Sequence, residues 1–111
     1  MAMAKLFEEI ANLDRLIHEP ARLALLTALS SCEDADFTFL MRLTGLTPGN
    51  LSGHLNKLKE AGLVEVEKKF IANRPNTIAR ITPQGRLAIE DHWKQLTALH
   101  EDSIKWEPEE N

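Results

Sequence analysis

The stretch "LTPGNLSGHLNKLKEAGLVE", Leu46 to Glu65, constrains the chain most. Four residues that disfavour a helix interior, Thr47, Pro48, Gly49 and Asn50, stand directly before Leu51, Leu55 and Leu58, whose spacing is helical. A turn of about 100° per residue brings Leu55 and Leu58 within about 40° of Leu51, so the three form one buried stripe. Thr47 suits the N-cap and Pro48 the first helical position, where a missing N–H costs nothing. The preceding segment "FTFLMRLTG" reads as a short helix capped by Thr38 and closed by Gly45. Two helices joined by so short a turn make a helix-turn-helix.

The face opposite the leucines carries Gly49, Asn50, Gly53, Asn56, Lys57 and Glu60, with Ser52 and His54 on its flanks. It has no apolar anchor. Small and polar residues around the first two turns keep the helix end thin, so backbone N–H groups can meet a phosphate and short side chains can reach base edges.

Around this pair the periodicity predicts further elements. Leu6, Ile10, Leu13 and Ile17 mark a helix from about Ala4 to His18, and Pro20 opens a second, largely apolar helix through "ARLALLTALSS". After Gly62 the period changes to two. Val64 and Val66 alternate with Glu65 and Glu67, and Ala79 and Ile81 alternate with Ile78, Arg80 and Thr82, which predicts two short strands. The segment "KKFIANRPN" between them reads as a hairpin loop several residues long, and Thr82 with Pro83 starts a last helix that reaches at least His100. The predicted fold class is therefore mainly α with a small β-hairpin: a winged helix-turn-helix with additional N- and C-terminal helices. A chain of 111 residues, 43% of them hydrophobic, suits one core, so residues 1–106 are assigned to a single domain and 107–111 to a disordered acidic tail.

The formal net charge is −4, but it is unevenly spread: from Arg42 to Arg86 eight basic residues face three acidic ones. A local basic face can therefore coexist with an acidic whole, and local field steers a ligand. The single cysteine, Cys32, precludes an internal disulfide and sits beside Glu33 and Asp34, which do not favour a reactive thiolate. His18, His54, His92 and His100 are scattered, so neither a metal nor another cofactor is predicted. No nucleophile elbow, phosphate-binding glycine loop or metalloprotease motif marks an enzyme. Apolar residues near the start are interrupted by charge, unlike a signal peptide or membrane span, which predicts a soluble, cytoplasmic protein without membrane association.

Taken together, "LIHEPARLALLTAL", "LTGLTPGNLSGHLNKLKEAGLVEVEK" and "RPNTIARITPQGR" resemble the winged-helix transcriptional regulators of the MarR and ArsR type, especially short archaeal and bacterial members. The resemblance spans roughly residues 13 to 96. It implies that Thr47 to Lys57 form the DNA-reading helix, with Ser52, His54 and Lys57 at positions used for phosphate or base contacts. It also implies that Lys68, Lys69 and Arg74 lie in a wing reaching backbone or minor groove. Gly53 departs from the larger polar or basic residue frequent there, leaving close backbone approach and DNA shape as means of recognition. The ligand clusters of ArsR-type metal sensors are missing, which disfavours metal sensing.

Double-stranded DNA is thus the predicted partner, with Thr47, Pro48, Gly49, Asn50, Ser52, Gly53, His54, Asn56, Lys57, Lys68, Lys69 and Arg74 as the contact set. A winged helix used only for protein contacts is the alternative; it would not need basic residues on helix and wing. A homodimer is also predicted. The core can be closed by Leu23, Leu26, Leu29, Leu40, Leu43, Leu46, Leu51, Leu55, Leu58, Val64 and Ile81. This leaves two terminal stripes, Leu6, Ile10, Leu13, Ile17 and Ile89, Trp93, Leu96, Leu99, to form an interface, with His92 and His100 as satisfied histidines on the second; packing of the stripes on each other within one subunit is the alternative.

Overall fold

A computed structural model describes residues 3–108 of the chain. The order is α1 (Met3–Ala11), α2 (Pro20–Ser30), β1 (Ala35–Asp36), α3 (Phe37–Thr44), α4 (Pro48–Glu60), β2 (Val64–Ile71), β3 (Arg74–Ile81) and α5 (Pro83–Lys105). Three helices begin by the same device. Glu19, Thr47 and Thr82 accept a hydrogen bond from the backbone N–H three residues on, at 2.9, 3.2 and 2.9 Å, and each precedes a proline. Each cap satisfies an N–H that the first helical turn would otherwise leave bare.

Most of the predicted leucines build the main core, but in α2 Leu25 is fully buried while the expected Leu23 is half-buried. Leu25, Leu26 and Leu29 of α2, Leu40 of α3, and Leu51 and Leu58 of α4 are fully buried, with Val64 and Ile89 beside them. Each such side chain stabilises the fold by about 1.5–3 kcal/mol over its exposed state. Leu43, expected in this core, is 55% exposed: Phe37, Leu40 and Met41 supply the inward stripe of α3, and Leu43 points away.

Three boundaries differ from the sequence reading, and one strand is added. The first helix stops at Ala11 rather than His18, because polar side chains take over backbone groups. Asn12 Nδ2 donates to the Glu8 carbonyl at 2.8 Å, and Asp14 Oδ1 accepts from the Leu16 N–H at 2.9 Å. The cap of α3 is Asp36, not Thr38; its carboxylate accepts from Phe39 N–H at 2.7 Å. Asp36 is held extended there because Ala35 and Asp36 form a third strand against Ala79 and Ile78, giving the sheet order β1-β3-β2. The hairpin loop shrinks to Ala72 and Asn73, both with positive φ (52° and 62°), the geometry of a two-residue turn that matches strand twist. Most of the segment read as loop therefore extends the two strands. Of the predicted tail, residues 109–111 lie outside the described residues, and 107–108 follow α5 without regular structure.

The terminal stripes find partners inside the chain. Leu6, Leu13 and Leu99 form a second buried cluster with Leu96 and Trp106 packed on it, while Ile17 and Ile89 belong to the main core. Of the eight residues assigned to an interface, Ile10 and Trp93 are exposed and Leu96 is half-buried. Trp93 donates its indole N–H to Thr27 Oγ1 at 3.0 Å, and the Trp106 ring meets Phe7 edge-on with centroids 5.1 Å apart. His92 is buried and its Nε2 lies 3.0 Å from His18 Nδ1, which ties α5 to the turn before α2. Burial, then the charge of His18, push the His92 pKa down, against a weaker upward pull from Asp14. His100 is exposed.

Gly85 shows how tightly α5 sits on the sheet. A Cβ at this buried position would run into the backbone carbonyl of Leu63 and crowd Ile81. Alanine is the better helix former by about 1 kcal/mol, yet here the clash should win. Gly85→Ala is expected to lower unfolding free energy by about 1–3 kcal/mol. Urea denaturation followed by circular dichroism checks it; unchanged or raised stability contradicts this packing.

Candidate nucleic-acid interface

α4 turns its leucine stripe inward and leaves Thr47, Pro48, Gly49, Asn50, Ser52, Gly53, Asn56 and Lys57 exposed. These eight predicted contact residues share one helix surface. A Cβ at Gly49 or Gly53 would meet nothing within 4 Å, so neither glycine serves internal packing. Thr47 Oγ1 takes the N–H of Asn50 and Pro48 has none. Of the first three helical positions, Gly49 alone keeps an N–H for an outside acceptor, a narrower anion site than the sequence suggests.

The wing stands beside this helix. An open cleft of about 760 Å³ lies between them, lined by Ser52, Gly53, Asn56 and Lys59 from α4 and by Lys68 and Thr77 from the strands. Strand pleating separates the wing cations. Val66, Lys68 and Phe70 lie on the face turned to α4, whereas Lys69 and Arg74 lie on the other. Lys69 Nζ approaches Glu67 at 3.6 Å on that outer face. Lys59 was absent from the predicted set although it lines the cleft; its position one turn after Asn56 was the available signal.

His54 departs most from its predicted role. Its Nδ1 lies 3.0 Å from Arg22 Nη1 and 3.5 Å from Glu19 Oε2, with the side chain 23% exposed. Arginine has no acceptor, so in that contact Nδ1 accepts and the ring proton sits on Nε2. Arg22 is 8% exposed and also donates from Nε to the Leu16 carbonyl at 2.6 Å and from Nη2 to the Arg15 carbonyl at 3.4 Å. Burial opposes the charge of Glu19, but the N–H groups of Arg22 and Ala21, with attraction to the Arg22 guanidinium, outweigh it and hold its carboxyl below the usual range. This part-buried network anchors α4 to α2. The sequence reading did not single out Glu19 or Arg22; an arginine three residues after a proline-flanked glutamate was the only trace.

The basic middle of the chain is likewise divided. Arg80 is held by Asp34 at 2.8 Å, Glu67 at 3.1 Å and Glu65 at 3.8 Å, and the Asp34 and Glu67 contacts raise its pKa. Arg86 donates to the Ser30 carbonyl at 2.6 Å. Among the described residues, Lys57, Lys59, Lys68 and Arg74 have no acidic partner within salt-bridge distance. These four cations leave unpaired positive charge on α4 and the wing. Also among the described residues, no group of three or more His, Cys, Asp or Glu side chains is placed to hold a metal ion, and no helix is long and apolar enough to cross a membrane.

Comparison with known proteins agrees with this geometry. An uncharacterised protein of Methanocaldococcus jannaschii is 35% identical over 85 residues, which span 77% of this chain and 92% of that relative. A transcriptional regulator homologue from Pyrococcus horikoshii superposes with a TM-score of 0.80 at 31% identity, over 88% of this chain and 96% of that one. A MarR-family transcriptional regulator from Silicibacter pomeroyi shares the fold, with a TM-score of 0.61 at 24% identity over 91% of this chain and 65% of that one. Residues 21–100, which carry the helix-turn-helix, the wing and most of α5, match the winged helix DNA-binding domain, and the chain belongs to that family.

Proposed function

We propose that this chain is a sequence-specific transcriptional regulator that seats α4 in the major groove of double-stranded DNA and lays its wing on the backbone or minor groove. The observation that carries this reading is the α4 surface: seven exposed small or polar residues without an apolar anchor, bordered by unpaired Lys57, Lys59 and Lys68. A helix turned to a protein partner would present large apolar side chains. The Pyrococcus horikoshii neighbour, a transcriptional regulator homologue, supports the same role.

In this arrangement Lys57, Lys68, Lys69 and Arg74 neutralise phosphates, while Asn50 and Ser52 face base edges. Gly49 and Gly53 let the DNA come close. His54 acts through Arg22, positioning α4 with one ring nitrogen and offering the other outward. The protein acts as a homodimer through its terminal helices, by way of exposed Ile10 and Trp93 with half-buried Leu96. Shape supports this: the radius of gyration is 17.5 Å, against about 13 Å for a compact chain of this length. A two-fold axis there would set the recognition helices on the order of 34 Å apart, one turn of DNA.

Three measurements test the proposal. Selection from random duplexes should yield a palindromic site, with log K falling several units per log unit of salt, given about three to five phosphate contacts per subunit. Lys57→Ala should flatten that slope by about one unit. No duplex binding, or a flat salt response, would leave the protein-contact reading instead. Gly53→Ala should stabilise the isolated chain by up to about 1 kcal/mol, since the added methyl has open space, yet weaken specific DNA binding. If binding is unchanged, DNA does not approach that turn. Sedimentation should show a dimer at micromolar concentration that Trp93→Glu with Ile10→Glu dissociates; a monomeric intact chain would sink the dimer.

A further inference from the structure

The wing ends in apolar residues that its core does not use. Phe70 is 80% exposed, the most exposed of the large hydrophobic side chains among the described residues, and Ile71 is 50% exposed. The register pairs Phe70 with Pro75 and Lys68 with Thr77. Directly paired residues of an antiparallel ribbon share a face, so Phe70 and Pro75 continue, toward the tip, the surface on which Val66 and Lys68 face α4. Beyond them the chain reverses through Ala72 and Asn73 alone, so the tip is narrow.

An exposed phenylalanine at a free tip needs a partner, and the charge around it selects one. Lys68 precedes it by two positions on the same face, and Arg74 and Lys69 flank it on the other. No carboxylate lies between Lys68 and Asn76. Lys68 on the ring's own face and Arg74 on the other, with Lys69 turned toward Glu67, suit a polyanion with stacked, apolar bases rather than an apolar protein groove. The surface is continuous with the helix–wing cleft through Lys68 and Pro75, which line it.

We infer that Phe70, backed by Pro75, is an apolar wedge that enters the minor groove and partly unstacks one base step, bending the bound DNA. The inference rests on the DNA-binding reading above and assigns the wing a task beyond phosphate contact. Lys68, Lys69 and Arg74 bring the tip to the groove; Phe70 gains contact only where a step opens easily, as pyrimidine–purine steps do. Part of the sequence preference therefore resides outside the bases that α4 touches. This contact does not displace counterions, so it strengthens binding without adding to the salt dependence.

The test uses the full chain on its selected duplex, with bend angle read by end-to-end energy transfer and unstacking by 2-aminopurine placed at the step beneath the wing. Phe70→Ala should fold normally, because the ring is exposed. It should lose roughly tenfold in affinity with an unchanged log-log salt slope, reduce the bend and abolish the rise in 2-aminopurine fluorescence. Phe70→Trp should restore all three, while Lys68→Ala should flatten the slope by about one unit. If Phe70→Ala binds and bends DNA as the unaltered chain does, the wedge is wrong and the regulator reading stands. If it instead changes sedimentation and leaves DNA binding intact, the tip is a protein contact and the inference is overturned. Failure of the unaltered chain to bind any duplex overturns both readings.

Discussion

The helix–wing cleft depends on one backbone contact. Where α4 ends, Gly62 takes a left-handed conformation (φ 78°) and turns the chain into β2; where β3 ends, Thr82 crosses back over the same point. Thr82 donates its N–H to the Leu63 carbonyl at 3.1 Å and its hydroxyl to the Gly62 carbonyl at 2.7 Å, then uses that hydroxyl to cap α5. Gly85 completes the approach by offering no side chain against Leu63. Two glycines and one threonine thus clamp the end of α4, the base of the wing and the start of α5 together. The angle between helix and wing follows from that clamp.

A second constraint works from the opposite side of α4. Buried Arg22 holds carbonyls of the turn before α2 and the Nδ1 of His54, while Glu19 caps α2 and faces the guanidinium. A buried guanidinium is tolerable only when its donors are met, so this cluster demands one arrangement of the turn, α2 and α4. The leucine stripe sets which face of α4 is hidden; the arginine network limits how far the helix can rotate about it. The exposed glycines, asparagines and serine are consequently presented on a rigid element, as a surface that must read a partner requires.

The same folding event sorts the charges. Arg80, paired with Asp34, Glu65 and Glu67, ties β2 and the residue before β1 to β3 and contributes nothing free to the surface of the cleft. Lys68 and Lys69 are neighbours in sequence, yet pleating sends one toward α4 and leaves the other beside Glu67. A linear count of basic residues therefore overstates the positive field in one place and misses its concentration in another.

The helix-turn-helix, the buried leucines of α4, the proline-marked helix starts and the pair of strands were legible in sequence because each rests on local chemistry: caps, periodicity and first-turn prolines. So was the exposed set Thr47 to Lys57 apart from His54, since a helix with three leucines on one side leaves its other side determined. What only the tertiary structure decided were the matters set by residues distant in sequence. The strand Ala35–Asp36, the inward engagement of His54 and the burial of Leu6, Leu13 and Leu99 within one chain all depend on partners that periodicity does not identify. An apolar stripe records that a face will be covered, because water excludes it whatever the partner; which surface covers it is decided only when the helices meet.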